Sequence, residues 1–163
     1  MRHNRLRNLL NANQPSIGTH LLSTWPTLVE LVGDAGNYDY VEFTAEYAPF
    51  TMHDLDNLGR ALELKNLGGM IKVEQTQFTH QAMRAIVSGF HSILFADVRT
   101  VADAESCVSA VRAETPGTGG RLGVGMRRDV WHSARRWLPG LRAGTQRSGD
   151  CHHGREARVR RRS

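Results

Sequence analysis

The sequence has few cysteines and no long apolar run, and each shortage excludes a class of protein. Its two cysteines, Cys107 and Cys151, form neither a disulfide framework nor a spacing typical of metal ligands. No run of about 18 apolar residues is present, so no membrane span is predicted. The basic N-terminus leads into only two adjacent leucines, which is unlike a secretory signal. We therefore expect one cytoplasmic domain with Cys107 buried in it.

Positive charge is scarce over most of the chain and concentrated at its end. Residues 1–130 contain 12 Lys and Arg against 14 Asp and Glu, whereas residues 131–163 contain 9 Arg against 2 acids. The net charge of +5 and the pI of about 9.9 thus reflect the terminal block. Because the excess lies in one block, it gives little reason to expect nucleic-acid binding by the preceding part.

Strand patterns and helix patterns alternate from the N-terminus to about residue 111. Strands are predicted at 16–22, 38–44, 69–73 and 91–96. Helices are predicted at 2–11, 53–67, 79–87 and 101–111, and one more helix follows Ser23 or Thr24, either of which can cap it. This alternation predicts an α/β fold with a parallel sheet, because parallel neighbours need a crossover connection. The sheet is either an open doubly wound one or about four βα units of a (β/α)₈ TIM barrel, which needs about 250 residues when complete.

Two more details are predicted along this stretch. In the last helix we expect Val101, Val111 and either Cys107 or Val108 to face inward. The glycine-rich residues 115–125 then predict either a mobile active-site loop or a phosphate cradle. They lack both the Gly-Lys-Ser/Thr ending of a P-loop and the dinucleotide-binding spacing, which favours the loop.

The segment from Tyr38 to Pro49 (YDYVEFTAEYAP) resembles a known enzyme family. The HpcH/HpaI aldolases, metal-dependent pyruvate aldolases related to citrate lyase β-type barrels, read here as two hydrophobic residues followed by Asp-Gly-Glu-His-Ala-Pro. Three further stretches agree in order and spacing, and the resemblance covers roughly residues 5–128. These stretches are Ile17-Gly18-Thr19 with Val29-Glu30-Leu31, Met70-Ile71-Lys72-Val73, and Phe95-Ala96-Asp97-Val98 continuing to Gly123-Val124-Gly125.

The resemblance implies a TIM-barrel enzyme that cleaves 4-hydroxy-2-oxo acids to pyruvate and an aldehyde. It also implies a divalent metal, Mg²⁺ or Mn²⁺, and assembly of complete relatives into homo-oligomers. Family members supply a Glu and an Asp from their fifth and sixth strands as metal ligands. Neither has a counterpart here, since Asp150 and Glu156 lie in an arginine-rich context without a strand pattern.

Family site residues fall on three positions near the second and third strands. The histidine base falls on Tyr47, and a tyrosine phenol is in general a poor base at neutral pH because phenols ionise at about pH 10. Glu46 matches the family's loop glutamate, which implies a catalytic role in ordering water or a residue that supports a metal ligand, and the alternative is a solvated loop acid. The arginine that pairs with the substrate carboxylate falls on Lys72, which keeps the charge but loses the bidentate fork. A lysine buried at the end of an apolar strand needs an anionic partner.

Three further residues complete the candidate site. His20 lies where the family often has an aromatic residue on its first strand, and it is either a pocket or proton-transfer residue or a hydrogen-bonded core histidine. We assign Gly123 and Gly125, within the resembling stretch, to substrate binding.

The end of the chain, residues 129–163, departs from both the fold pattern and the resemblance. We interpret residues 1–128 as half of an aldolase-like barrel and the Arg-rich remainder as a disordered or frame-shifted tail. We expect such a chain to be truncated and its activity to be impaired. The alternative is a non-catalytic protein whose basic tail binds nucleic acid or another acidic partner. A metal site at Cys151, His152 and His153 lacks a second pair of ligands.

Overall fold

The computed structural model describes residues 4–123 of the chain, and within them every predicted strand and helix is present with ends shifted by a few residues. The helices are α1 (Arg5–Asn11), α2 (Pro26–Ala35), α3 (Met52–Leu64), α4 (Phe78–Ser88) and α5 (Val101–Val111). The strands are β1 (Gly18–Leu21), β2 (Tyr40–Thr44), β3 (Gly68–Val73) and β4 (Ser92–Phe95). No helix among the described residues is long and apolar enough to cross a membrane.

The four strands form one parallel sheet in the order β1-β2-β3-β4. A doubly wound sheet reverses its strand order at a switch point, whereas a barrel adds each new strand beside the last. The sequential order therefore confirms the prediction of four βα units of a barrel. The register places His20 opposite Glu42 and Thr44 opposite Lys72.

The hydrophobic core lies between one face of the sheet and the helices. Side chains alternate between the faces of a strand, so the core takes every second residue of β2 and β3. These residues are at most 2% exposed and pack against apolar residues of α2 and α3. The strand residues are Val41, Phe43, Ile71 and Val73, and the helix residues are Val29, Leu55, Leu58 and Leu62.

Helices α3 and α4 approach each other closely at one glycine. A Cβ at Gly59 would lie only 1.8 Å from the backbone carbonyl oxygen of Ser88, so no larger residue fits without movement. Beside this contact the buried Ser88 hydroxyl donates a hydrogen bond of 2.7 Å to the buried Asp56 carboxylate. The two helices are thus joined by a polar contact inside an apolar layer.

Glycines also make room for one aromatic side chain on the other face of the sheet. Tyr40 lies between Gly18 and Gly68 in the register. A Cβ at Gly18 would clash with the Tyr40 ring, 2.2 Å from Cζ, and one at Gly68 would lie 2.9 Å from the Tyr40 Cβ. The Tyr40 ring therefore covers the start of β2 on the face of the sheet opposite the core.

Two predictions of local structure are wrong. Helix α2 begins at Pro26 with Trp25 as N-cap and no side-chain cap, instead of a cap at Ser23 or Thr24. The reason is that a residue before proline is kept extended, so the helix starts at the proline itself. In α5, Val101 is 76% and Val108 45% exposed.

Helix α5 buries Cys107, one of the two alternatives predicted to face inward, together with Ala110, whereas Val101 is wrongly predicted. Its principal helix contact among the described residues is with α4 on one side, which leaves the valines uncovered. The predicted burial of Cys107 is confirmed, and its thiol is free. Burial raises the pKa of this thiol, and the nearby Asp103 carboxylate raises it further, so Cys107 is an unreactive packing residue.

Candidate functional site

The face of the sheet opposite the core carries the candidate functional residues. His20 of β1, Glu42 and Thr44 of β2, and Lys72 of β3 occupy the strand positions that alternate with the core residues, and we call this surface the polar face. Among the described residues, the helix side chains of the hydrophobic core pack against the other face of the sheet. Charged side chains at the carboxyl ends of parallel strands are typical of ligand sites in barrels.

Lys72, Glu46 and Tyr47 form one cluster at the carboxyl ends of β2 and β3. Nζ of Lys72 lies 2.5 Å from Oε2 of Glu46 and 4.9 Å from the centroid of the Tyr47 ring. The turn after β2 positions the loop residues, because the Tyr47 N–H donates to the Thr44 carbonyl at 3.2 Å. The Lys72 and Glu46 side chains are only 24% and 16% exposed, so the pair is partly shielded from water.

The pair holds both of its members in the charged state. The hydrogen bond with Lys72 lowers the pKa of Glu46, although burial acts in the opposite direction. The same contact raises the pKa of Lys72 against the effect of desolvation. An amine nucleophile has to lose its proton first, so this arrangement favours Lys72 as a positive charge over Lys72 as a Schiff-base former.

A second polar cluster lies at the β1–β2 pair, and the sequence predicted only one of its members. The Thr44 hydroxyl donates to Oε1 of Glu42 at 3.2 Å, and Nδ1 of His20 lies 3.4 Å from Oε2 of the same carboxylate. Glu42 is 7% exposed. The position of Glu42 in β2 could have indicated this role. Glu42 is two residues from both Tyr40 and Thr44, so its side chain lies on the face away from the core.

The ends of β3 and β4 are braced by side chains that follow the strands. The Gln81 side chain accepts a hydrogen bond of 3.1 Å from the backbone N–H of Glu74, and the Gln75 amide donates to the Asp97 carbonyl at 3.2 Å. Asp97 itself has a φ of 55°, a left-handed conformation that few non-glycine residues adopt. These contacts hold the loops next to Lys72 in place.

The structure decides several alternatives for the predicted site residues. A buried core role for His20 is wrong, because its side chain is 75% exposed and contacts Glu42 from the polar face. A solvated loop acid at Glu46 is wrong as well, since that carboxylate is 16% exposed and engaged by Lys72. Lys72 has the anionic partner that its burial requires, while Tyr47 is 69% exposed and contacts Lys72 through its ring.

The glycine-rich segment does not reach this cluster within the described residues. Its turn is closed by the Thr118 hydroxyl, which donates to the Ala113 carbonyl at 2.6 Å. The segment then returns to α5, where the Arg121 N–H donates to the Ser109 carbonyl at 2.9 Å. A Cβ at Gly123 would meet nothing within 4 Å.

Several other predictions fall on parts of the chain outside the described residues. These are Gly125, the domain boundary at 128, the nature of the tail at 129–163, the acids Asp150 and Glu156, and the group Cys151, His152 and His153.

The described residues do not fit a metal ion. Between residues 4 and 123 no group of three or more His, Cys, Asp and Glu side chains is arranged to hold one. The two acids of the candidate site already have partners. Glu46 contacts Lys72, and Glu42 contacts Thr44 and His20. Any metal ligands would have to come from elsewhere.

No protein-family model matches this sequence, and a comparison with curated proteins finds no match. Solved structures do match. An HpcH/HpaI aldolase/citrate lyase family protein from Burkholderia cenocepacia J2315 is 27% identical with a TM-score of 0.70, covering 86% of this chain and 56% of its own. An HpcH/HpaI aldolase from Desulfitobacterium hafniense DCB-2 is 21% identical with a TM-score of 0.66, covering 78% and 47%.

The citrate synthase SbnG is also similar in fold, at 18% identity and a TM-score of 0.66, covering 88% of this chain and 53% of its own. The chain thus spans about half the length of these structures. Because these matches include HpcH/HpaI aldolase/citrate lyase family proteins and cover most of this chain, the resemblance predicted from the sequence is confirmed. The described chain has the architecture of about half of a TIM barrel of the HpcH/HpaI aldolase/citrate lyase type.

Proposed function

We propose that this chain belongs to an aldolase-type carbon–carbon lyase, in which it binds the carboxylate end of a 2-oxo acid. The proposed reaction is the retro-aldol cleavage of a 4-hydroxy-2-oxo acid to pyruvate and an aldehyde. The observation that carries the proposal is the Lys72–Glu46–Tyr47 cluster at the carboxyl ends of β2 and β3 in an aldolase-like fold. The neighbouring structures support a lyase in general terms, and the substrate belongs to the proposal.

Lys72 is the residue that we assign to the substrate carboxylate. An ammonium group has three N–H donors, more than the one carboxylate oxygen of Glu46 that lies 2.5 Å from Nζ can engage. The remaining donors are available to a second carboxylate at the same strand end. Since lysine acts as a point charge without a fork, binding should depend on the charge more than on its orientation.

Glu46 and Tyr47 hold Lys72 in place in this proposal. Glu46 fixes the position of Nζ through the ion pair, and the Tyr47 ring attracts the ammonium through its π face. Tyr47 therefore takes a positioning role at the place where the family has its histidine base. A phenol is a poor base at neutral pH, so the proton-transfer group has to lie elsewhere on the polar face.

A divalent metal and assembly into homo-oligomers remain expectations of the resemblance. In relatives a metal supplies the positive charge that stabilises an enolate. The described residues do not fit such an ion, so we derive no step of the reaction through it. A cytoplasmic location likewise stays a prediction from the sequence.

The proposed function can be tested by pyruvate binding to the full chain, measured by calorimetry and by saturation-transfer NMR. Lys72→Met should weaken pyruvate binding at least about tenfold, because it removes a charged partner worth about 1.5–3 kcal/mol. Lys72→Arg should retain most of the affinity. The matched control is Lys65→Met, since Lys65 forms a comparable ion pair of 2.6 Å with Asp34 away from the polar face.

Turnover is measured on the same proteins. Pyruvate release from a 4-hydroxy-2-oxo acid should appear with the unsubstituted chain and should fall with Lys72→Met. Equal pyruvate affinity in the unsubstituted chain and Lys72→Met would contradict the assignment of Lys72. Absence of both binding and release would contradict the proposed function for this chain.

The charge of residues 131–163, with 9 Arg against 2 acids, favours a second candidate function. It is a non-catalytic protein that binds nucleic acid or another acidic partner through this basic block. Binding of DNA or RNA that weakens steeply with salt and disappears on deletion of 131–163 would support it. Binding that persists after the deletion would contradict it.

A further inference from the structure

His20 and Glu42 form a pair whose members differ strongly in exposure. The Glu42 side chain is 9% exposed and the His20 side chain 75% exposed, and the two residues lie directly opposite each other in the β1–β2 register. Nδ1 of His20 lies 3.4 Å from Oε2 of Glu42. The other oxygen of the carboxylate accepts a hydrogen bond of 3.2 Å from the Thr44 hydroxyl. Thus a buried acid, held from one side, contacts one nitrogen of an accessible imidazole.

This contact of 3.4 Å favours one tautomer of the neutral His20 ring. A carboxylate is an acceptor only, so the nitrogen next to it carries the hydrogen in the neutral imidazole. Nδ1 is then the donor, and Nε2 keeps its lone pair. An imidazole oriented by a carboxylate in this way is the arrangement in which histidine acts as a general base, with the carboxylate stabilising the imidazolium that forms.

We propose that Glu42 is a positioning residue that fixes His20 as the proton-transfer group of this site, in place of the histidine that Tyr47 replaces. This inference rests on the proposed function and assigns its missing base. His20 and Lys72 lie two strands apart and two residues apart along the strands. At about 4.8 Å between strands and 3.3 Å per residue, their Cα atoms are roughly 12 Å apart. Their side chains can therefore reach opposite ends of one small hydroxy-oxo acid.

The proton and electron pairs balance as follows. Nε2 of His20 takes the proton of the substrate 4-hydroxyl, and the electron pair of that O–H bond becomes the second bond of the aldehyde carbonyl. The C3–C4 bond breaks, and its electron pair moves into the enolate of pyruvate. The imidazolium returns the proton to C3 of the enolate, which gives pyruvate and restores neutral His20. Lys72 supplies positive charge beside the substrate carboxylate throughout.

The first test measures the tautomer of His20 in the full chain labelled with ¹⁵N. Long-range ¹H–¹⁵N spectra distinguish Nδ1–H from Nε2–H, and His20→Asn assigns the signal among the eight histidines. We expect Nδ1–H in the unsubstituted chain and a change toward Nε2–H in Glu42→Leu. Asp56→Asn, which changes a buried acid inside the helical layer, is the matched control and should leave the tautomer unchanged. The same tautomer in the unsubstituted chain and Glu42→Leu would overturn the positioning role.

The second test measures proton transfer to pyruvate itself. Exchange of the pyruvate methyl protons in D₂O, followed by NMR, is catalysed by the same base without any aldehyde. His20→Asn should lower the exchange rate by about 10²-fold or more, the usual contribution of a general base. Glu42→Gln should lower it by part of that factor with little change in pyruvate affinity. His53→Asn, at an exposed position of α3, should have no effect.

The outcomes separate this inference from the proposed function. Exchange by His20→Asn as fast as by the unsubstituted chain overturns the base assignment while leaving Lys72 and the aldolase proposal intact. Bound pyruvate that does not exchange in the unsubstituted chain overturns it too. A tautomer that depends on Glu42 in a chain that does not bind pyruvate supports the positioning of His20 and overturns the proposed function. Circular dichroism of each variant confirms that the fold is retained.

Discussion

The two faces of the sheet differ sharply although the same strands form both. On the covered face, Phe43 and Ile71 are at most 1% exposed and pack under the helices. On the polar face, the neighbouring residues Glu42 and Lys72 are charged and paired with groups at the strand ends. Because strand side chains alternate, a strand of five or six residues contributes to the core and to the site at once.

This difference teaches where substitutions should affect stability and where they should affect chemistry. A side chain on the covered face is shielded from water, so trimming it leaves a cavity in the core. A residue of the polar face has a charged partner and partial access to water, so its loss changes binding more than folding. The predictions that follow test this contrast from the largest expected change in stability to the smallest.

Phe43→Ala should lower the free energy of unfolding by about 3–5 kcal/mol, because a fully buried ring is replaced by a cavity. Phe43 also makes an edge-to-face contact with Phe50, with ring centroids 5.7 Å apart. Leu94→Ala on the opposite face, where Leu94 is 40% exposed, should cost far less. Urea unfolding of both variants measures the difference, and equal losses would show that the two faces are equivalent.

Ser88→Ala should destabilise the fold by about 1–3 kcal/mol, because it removes a buried donor from the Asp56 carboxylate. The control is Ser109→Ala, which removes a hydrogen bond of 2.8 Å to the Gly119 carbonyl at an exposed site. That variant should change the free energy of unfolding only slightly. A larger loss for Ser109→Ala than for Ser88→Ala in the same urea titration would contradict the assigned importance of burial.

Thr51→Ala should cost about 1 kcal/mol by removing the N-cap of α3. Thr51 accepts a hydrogen bond from the Asp54 N–H, and the Asp54 carboxylate accepts one of 2.6 Å from the Thr51 N–H, which completes a capping box. Ser23→Ala removes only an exposed hydrogen bond of 3.2 Å from the Trp25 N–H ahead of α2 and should cost less. Thermal unfolding of the two variants measures the difference in stability, and a larger loss for Ser23→Ala than for Thr51→Ala would contradict this account.

The pH dependence of the Glu46–Lys72 pair should be the smallest effect on stability. The pKa of Glu46 is lowered from 4.5, so the contribution of the pair is present above that value and is lost as the pH falls through the folded-state pKa. The pKa of Lys72 is raised from 10.5, so the contribution is also lost as the pH rises through its folded-state pKa.

Glu46→Gln should therefore be less stable than the unsubstituted chain at neutral pH, and the difference should narrow in acid. Urea unfolding at neutral pH and below pH 4.5 measures both values. The control is Asp34→Asn, which removes an ion pair whose carboxylate is more exposed. Asp54→Asn is unsuitable as a control because it removes a residue of the α3 capping box. A difference that grows as the pH falls would contradict the direction of the Glu46 pKa.

Much of the fold was predictable because its signals are local. Helix α3 has apolar residues such as Leu55, Leu58 and Leu62 at helical spacing, and the structure buries all three. The cap of α2 and the inward orientation of Val101 were mispredicted for different reasons. The first depends on competition between a cap and a proline next to it, and the second on whether a neighbouring element covers that side of α5.

The candidate site was predictable only in part. Lys72 and Glu46 were found through the family motifs, but their ion pair depends on the loop after β2 bending toward β3. Glu42 was missed, because a single acid in a strand looks the same whether it faces solvent or a histidine. Only the strand register places it opposite His20.

The order of residues by itself determined the alternation of strands and helices, the parallel sheet and the identity of the core strands, because hydrophobic spacing and turn residues act over short distances. The tertiary structure decided which charges meet. The pair Glu46–Lys72 joins the loop after β2 to β3, and the pair His20–Glu42 joins β1 to β2. Such contacts depend on strand order and register, which are set by the packing of the whole sheet against its helices.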